Sequence, residues 1–262
     1  GTQISPRVSV LYRPGDVTVR GSYGKGFHAP TPFVEDIEAA GLARLEPIEN
    51  LREERAETAS LDFTYTFDNI ETSFTLFGSN VDNAIELEAL TSTQSGMSDR
   101  VRLVNIEGES RIRGSEVLLR YYWQDIKLTA SYLYLDATQQ SVAEKQDIAL
   151  TPTHSAGFVA MWEQHGSFRA GFEAYYTGTQ RLNNNPYLDE SKPYWHLGLM
   201  GEVTTGNISW FINLENLLDV KQSDEHPLLL PSRAPSGQWT TDMWSRNDGF
   251  IANAGVRVKF GQ

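Results

Sequence analysis

Five histidines could do chemistry in this chain: His28, His154, His165, His196 and His226. No two stand at zinc-ligand spacing with each other or with a carboxylate pair on one face, so they predict no metal centre. His154-Ser155 places a base beside a hydroxyl, but no G-x-S-x-G turn or third triad member accompanies it. Gly24-x-Gly26 lacks the strand-to-helix setting that phosphate binding needs. These observations predict neither a catalytic residue nor a bound cofactor. The remaining reactive surface lies in the last two long polar segments, which hold Arg181, Tyr187, Arg233, Trp239, Trp244 and Arg246. Guanidinium groups pair with carboxylate or catecholate oxygens, and large rings stack on planar ligands. These six residues are the candidate ligand contacts.

The elements that must carry them have a period of two. Ile126, Leu128, Ala130, Tyr132 and Tyr134 alternate with Lys127, Thr129 and Ser131, and Val117, Leu119, Tyr121 and Trp123 lead into them through a tight turn at Gln124-Asp125. That pattern is a hairpin with one greasy and one mostly polar face. Similar runs recur along the chain, giving about eleven strands. Short turns at 13–16, 68–69, 124–125, 164–166 and 204–207 alternate with long polar loops at 24–54, 91–99, 138–150, 178–192 and 219–247. Helical pattern is confined to Val34 to Leu42, where one short turn is expected.

The 262 residues carry a net charge of −12 and no cysteine. The charge argues against a nucleic-acid partner, and the missing cysteine excludes disulfides and thiolate chemistry. No run of about eighteen apolar residues could form a membrane helix, yet a membrane β-strand needs only about 9–11 tilted residues. Arg20, Asp62, Glu71, Arg120, Lys127, Arg169, Glu173 and Glu202 fall mid-strand on the polar face. They suit a wet lumen and would be costly in a packed sandwich core. Trp123, Trp162, Trp195, Trp210, Tyr12, Tyr65 and Phe67 suit interfacial girdles. Short turns at one end and long loops at the other are the habit of an outer-membrane barrel. The expected fold is therefore all-β, an antiparallel transmembrane barrel. An odd strand number and a first residue other than Met lead to the expectation that N-terminal strands are missing.

Six segments, in order, resemble the TonB-dependent outer-membrane receptors. Tyr23 to Ile37 (YGKGFHAPTPFVEDI) is similar to that family's G-x-G-F-R-A-P-x-x-x-E-L, with His28 in the Arg place. Asn50 to Tyr65 resembles its N-L-x-P-E segment, with Glu53 in the Pro place, and Val104 to Trp123 keeps Gly114-Ser115-Glu116. Ser131 to Ala137 (SYLYLDA) matches S-Y-x-Y-x-D-A, Pro152-x-His154 matches P-x-H, and Asn213 to Val220 (NLENLLDV) resembles N-L-x-N-L-F-D. Phe260 stands near the family's closing aromatic position. The resemblance implies a barrel of about 22 strands, with residues 1–262 as its C-terminal half. The plug domain, the TonB-binding segment and the N-terminal strands would lie outside this chain. It also implies localisation in the Gram-negative outer membrane, contact with its lipid, and no enzymatic activity. Uptake energised by the TonB complex would serve a small scarce ligand, a ferric siderophore before cobalamin or a glycan. A passive pore or adhesin barrel is the alternative outside the family.

Overall fold

The computed structural model describes residues 3–32, 44–90, 100–140, 145–183, 185–234 and 238–260. The turn of helix expected within Val34 to Leu42 lies outside the described residues. Eleven long strands follow one another as antiparallel neighbours. They are β1 (Arg7–Tyr12), β2 (Val17–His28), β3 (Glu54–Phe67), β4 (Ile70–Asp82), β7 (Glu109–Trp123), β8 (Ile126–Gln140), β10 (His154–Gln164), β11 (Phe168–Thr177), β12 (Tyr194–Thr205), β13 (Ile208–Glu215) and β14 (Ile251–Val258). A three-residue strand, β9 (Lys145–Asp147), adds to the loop end of β8. All five tight turns fall at one end of the wall and the long connections at the other. Asp68 and Gln124 take positive φ, 50° and 51°, to reverse the chain within two residues.

The alternation predicts single strands over Ile70 to about Leu87 and Arg100 to Trp123, and each of the two is broken. Asn83 at φ 56° ends β4, and Gly108 at φ 124° starts β7 late. The residues between form a separate hairpin, β5 (Ile85–Ala89) and β6 (Val101–Asn105), that leaves the main sheet. Asn105 anchors it by accepting from Arg52 N–H at 2.8 Å and donating to the carbonyls of Arg52 and Asn83 at 2.9 and 2.8 Å. Val101 and Leu103 are buried there, and Glu46 N–H donates to Val101 O at 2.9 Å.

Register fixes the faces. Tyr121 pairs Leu128, Leu119 pairs Ala130, and Val117 pairs Tyr132. The outward row continues from Ala130 through Phe158 and Ala174 to Leu197. Among the described residues only seven hydrophobic side chains are buried, while Leu119, Phe74, Leu199 and Trp210 stay 38–59% open to solvent. A single sheet with no apolar core, showing a continuous greasy face, is stable only where that face meets lipid. Trp123 and Trp162 mark the turn end of this face, and Trp195 and Tyr134 mark the loop end.

The inner face carries ion pairs toward the turn end: Arg120–Glu71 at 3.1 Å, Arg169–Glu163 at 3.1 Å and Arg257–Glu202 at 3.6 Å. Its large side chains lie flat because a neighbouring strand offers a glycine. Phe77 covers Gly114, Tyr175 covers Gly157, Met200 covers Gly171 and Phe211 covers Gly255. A Cβ at Gly114 would stand 2.7 Å from the Tyr134 carbonyl as well as 2.5 Å from the Phe77 ring. At Gly255 its three nearest neighbours all belong to the Phe211 ring, the first at 2.4 Å. Gly114→Ala should therefore lower barrel stability by about 1–3 kcal/mol, and Phe77→Leu should not restore it. Gly255→Ala should be restored by Phe211→Leu. Denaturant unfolding of the lipid-folded, full-length protein, taken as two double-mutant cycles, checks both.

Candidate functional site

The connection after β13 begins with the segment that resembled N-L-x-N-L-F-D. Asn216 turns the chain at φ 51°, and its side chain both accepts from Val220 N–H at 3.0 Å and donates to Val220 O at 2.9 Å. Asp219 accepts from Phe250 N–H at 2.9 Å and so ties the start of the loop to its end. The Lys221 ammonium, and then the Phe250 N–H, hold the Asp219 carboxyl below the usual carboxylate range. These residues close the base of a loop running from Asn216 to Phe250.

Gln222 organises the inside of that loop from a short 3-10 turn, Gln222–Asp224. It is 0% exposed. Its side-chain oxygen accepts from Trp244 N–H at 2.9 Å and Ser245 N–H at 3.4 Å, and its amide nitrogen donates to Asp242 O at 2.7 Å. Trp244 is 5% exposed. Its indole N–H donates to His226 Nε2 at 3.2 Å, and its carbonyl accepts from Tyr194 OH at 3.2 Å and from Gln180 at 3.4 Å. The preceding loop, between β11 and β12, is thereby joined on. Tyr187 stacks on His226 with centroids 5.7 Å apart, and its hydroxyl donates to Leu229 O at 2.7 Å. Asn185 accepts from Tyr187 N–H at 2.9 Å and Leu188 N–H at 3.2 Å, the tight cap that an Asn-Pro pair favours.

The six candidate contacts thus divide. Tyr187 and Trp244 are spent on joining the two loops. Arg181 reaches a third connection, donating from Nε to Asp147 O at 2.6 Å. Trp239 is 59% exposed and Arg246 is open as well, its guanidinium 3.6 Å from Glu215. Arg233 is half-buried in the same loop. Of the six, Trp239 and Arg246 are therefore the exposed ones and Arg233 the half-buried one, all on the loop that Gln222, His226 and Trp244 brace. Gln222 and Asn185, which brace the loops, are not among the six. Asn185-Pro186 is a usable turn signal; nothing local marks Gln222, whose shorter side-chain bonds go to Asp242 and Trp244, 20 and 22 residues away.

His154 and Ser155 fall on opposite faces of β10. His154 faces outward beside Tyr134, 2.7 Å from the Tyr132 hydroxyl, while Ser155 pairs Leu133 and Thr177 on the inner face. Neighbours on a strand cannot act as a dyad. Three of the resembling segments gain physical meaning here, since Tyr132 and Tyr134 of SYLYLDA meet His154 of P-x-H, and Gly114 receives Phe77. Among the described residues no helix is long and apolar enough to cross a membrane, which says nothing of crossing by strands, and no group of three or more His, Cys, Asp or Glu is arranged to hold a metal.

A greasy outer wall, a polar inner wall and structured loops at one end define a transmembrane β-barrel of the receptor type. The family described as TonB dependent receptor-like, beta-barrel matches residues 1–217, and the chain belongs to that family. No curated protein matches the chain in sequence. Among solved structures it is similar to the siderophore receptor PirA from Acinetobacter baumannii, with TM-score 0.69 and 15% identity over 98% of this chain and 41% of that one. A ferric enterobactin receptor (PfeA) mutant from Pseudomonas aeruginosa gives 0.68, 15%, and 98% against 40%. The copper transporter OprC gives 0.69, 18%, and 97% against 38%. The chain spans about two fifths of the length of each of these proteins. At such identities the likeness speaks for the fold.

Proposed function

We propose that residues 1–262 are the C-terminal part of the barrel of an outer-membrane receptor that takes up a scarce ligand, a ferric siderophore, with energy delivered through TonB. In this reading the tight turns face the periplasm and the loop cluster faces outside. The plug, the TonB-binding segment and the other strands belong to the rest of the receptor. The observation that carries the proposal is the exposed Trp239 and Arg246, with half-buried Arg233, on one braced loop of a TonB-dependent barrel. Rings and guanidinium groups together suit a planar, anionic chelate. PirA and PfeA are named for siderophore cargo and support this choice. The copper transporter OprC shares the fold equally well, so copper, cobalamin and glycans are the cargoes to compete.

Uptake of radiolabelled iron chelates by cells carrying the full-length receptor tests the proposal. Alanine at Trp239, Arg246 and Arg233 together should cut uptake at least about tenfold, as loss of Trp and Arg anchors does at other recognition surfaces. Unchanged uptake in the triple variant removes these residues from the site. Uptake that persists without TonB favours a passive pore.

A further inference from the structure

The inner wall has two unlike sides. On β2–β4 it is a strip of small hydroxyls that bond one another: Thr58 with Ser79 at 2.9 Å and Ser22 with Ser60 at 2.7 Å, while Thr75 donates to Asp62 at 3.0 Å. Thr64 and Ser73 continue the strip toward the turn end as register partners. Phe77 lies away on Gly114 of β7 and leaves the strip clear. Arg20 stands in the row of Asp62 and is exposed. Arg120, Arg169 and Arg257 of the inner face are each ion-paired, whereas Arg20 has no ion pair among the described residues. On β10–β12 the same face is apolar. Met161 and Met200 close over Gly171 from both sides, to 3.2 and 2.8 Å from where its Cβ would stand. With Val159 and Gly198 they line a hollow of about 80 Å³, to which Glu173 and Asn213 also contribute. Water finds few partners in such a hollow. It has room for one small aliphatic side chain, and an apolar surface of this kind favours a protein cover over water. The strip makes no such demand, since its hydroxyls are paired along the wall and accept water freely.

We propose that cargo crosses the lumen along the hydroxyl strip of β2–β4, past Arg20, while the apolar wall of β10–β12 seats the domain that fills the rest of the barrel. This rests on the uptake reading above and assigns to it one side of the barrel and one charge. Short side chains leave the bore widest at the strip, and hydroxyls exchange hydrogen bonds with water or cargo alike. Asp62 is occupied by the Ser60 and Thr75 hydroxyls, at 3.3 and 3.0 Å, which leaves the Arg20 guanidinium to meet a passing anionic chelate. A domain seated on β10–β12 finds the reverse: a hollow that holds an apolar side chain and few groups that water would reclaim.

Single cysteines in the full-length receptor, cysteine-free elsewhere, test the division without any cargo. Ser22→Cys and Ser60→Cys should react with sulfonatoethyl methanethiosulfonate, a charged thiol reagent, at least about tenfold faster than Val159→Cys and Met161→Cys. The wall itself half-buries all four positions, so the difference reports what covers them. Equal rates, or the reverse order, overturn the proposal. Transport is read as cellular uptake of radiolabelled ferric catecholate and ferric hydroxamate chelates. Ser60→Cys carrying the reagent should take up at least about fivefold less than the same variant left unmodified, while surface binding of the same chelate holds. Arg20→Gln should lower uptake and Arg20→Lys should restore it. Undiminished uptake in modified Ser60→Cys overturns the passage. Uptake of neither chelate by the unmutated receptor, with the difference in reactivity present, would instead leave the wet strip standing and sink the siderophore assignment.

Discussion

Arginine at Leu119 is expected to impair barrel assembly by about 2–4 kcal/mol, whereas arginine at Leu118, the adjacent residue, is expected to be tolerated. The two side chains leave β7 on opposite faces. Leu119 pairs Thr72 and Ala130 on the outward face and is 43% open in the absence of lipid. Leu118 pairs Ser73 and Ser131, and Glu116 follows two residues away on the same inner face. Counting from the Trp123 girdle, Leu119 lies about four residues into a span of about 9–11, near the middle of the bilayer. A guanidinium there must reach an interface past apolar neighbours or drag water inward. At Leu118 it meets hydroxyls, a carboxylate and water. Folding of the full-length protein into lipid vesicles, read as the denaturant midpoint for each variant, decides between them. Equal loss in both would mean that the inner face is not wet, and the assignment of faces would fail. Leu128 is a poorer probe, because its partner Tyr121 sits only one outward position from Trp123.

The alternation made the eleven wall strands legible because each side chain in a membrane strand answers to one of two solvents, every second residue. Turn chemistry added the direction of each strand. The same signal concealed the exit of the β5–β6 hairpin, since Ile85 and Leu87, and Val101 and Leu103, alternate with polar residues as wall strands do, while the break lies in the backbone at Asn83 and Gly108. The loop site was half legible. Trp and Arg stand out by type, but type does not separate Trp239, which is open, from Trp244, which is enclosed. That difference is set by Gln222, Gln180 and Tyr194, which come from other parts of the chain. No periodic pattern reports such contacts, because loops answer to individual hydrogen bonds rather than to a face.

Leucine at Gln222 should therefore be the most damaging single change in the loops, and its damage should stay there. Leucine fills a similar volume but takes away the acceptor of the Trp244 and Ser245 N–H groups and the amide donor to the Asp242 carbonyl, in a place closed to water. Each unsatisfied group costs about 1–3 kcal/mol, so a total near about 3 kcal/mol is expected after local relaxation. Gln222→Glu is not a mild alternative: it keeps the acceptor for Trp244 but sets a carboxylate oxygen against the Asp242 carbonyl and buries a charge. The wall strands hold their own backbone ladders, and the loops close through contacts among themselves. The lost stability should therefore appear as local opening. Hydrogen exchange should rise in 180–194 and 222–246 of the full-length protein while β7, β8 and β10 keep their protection. Exchange that rises equally in the strands would show that the loops and the wall unfold as one unit, and that Gln222 braces the barrel itself.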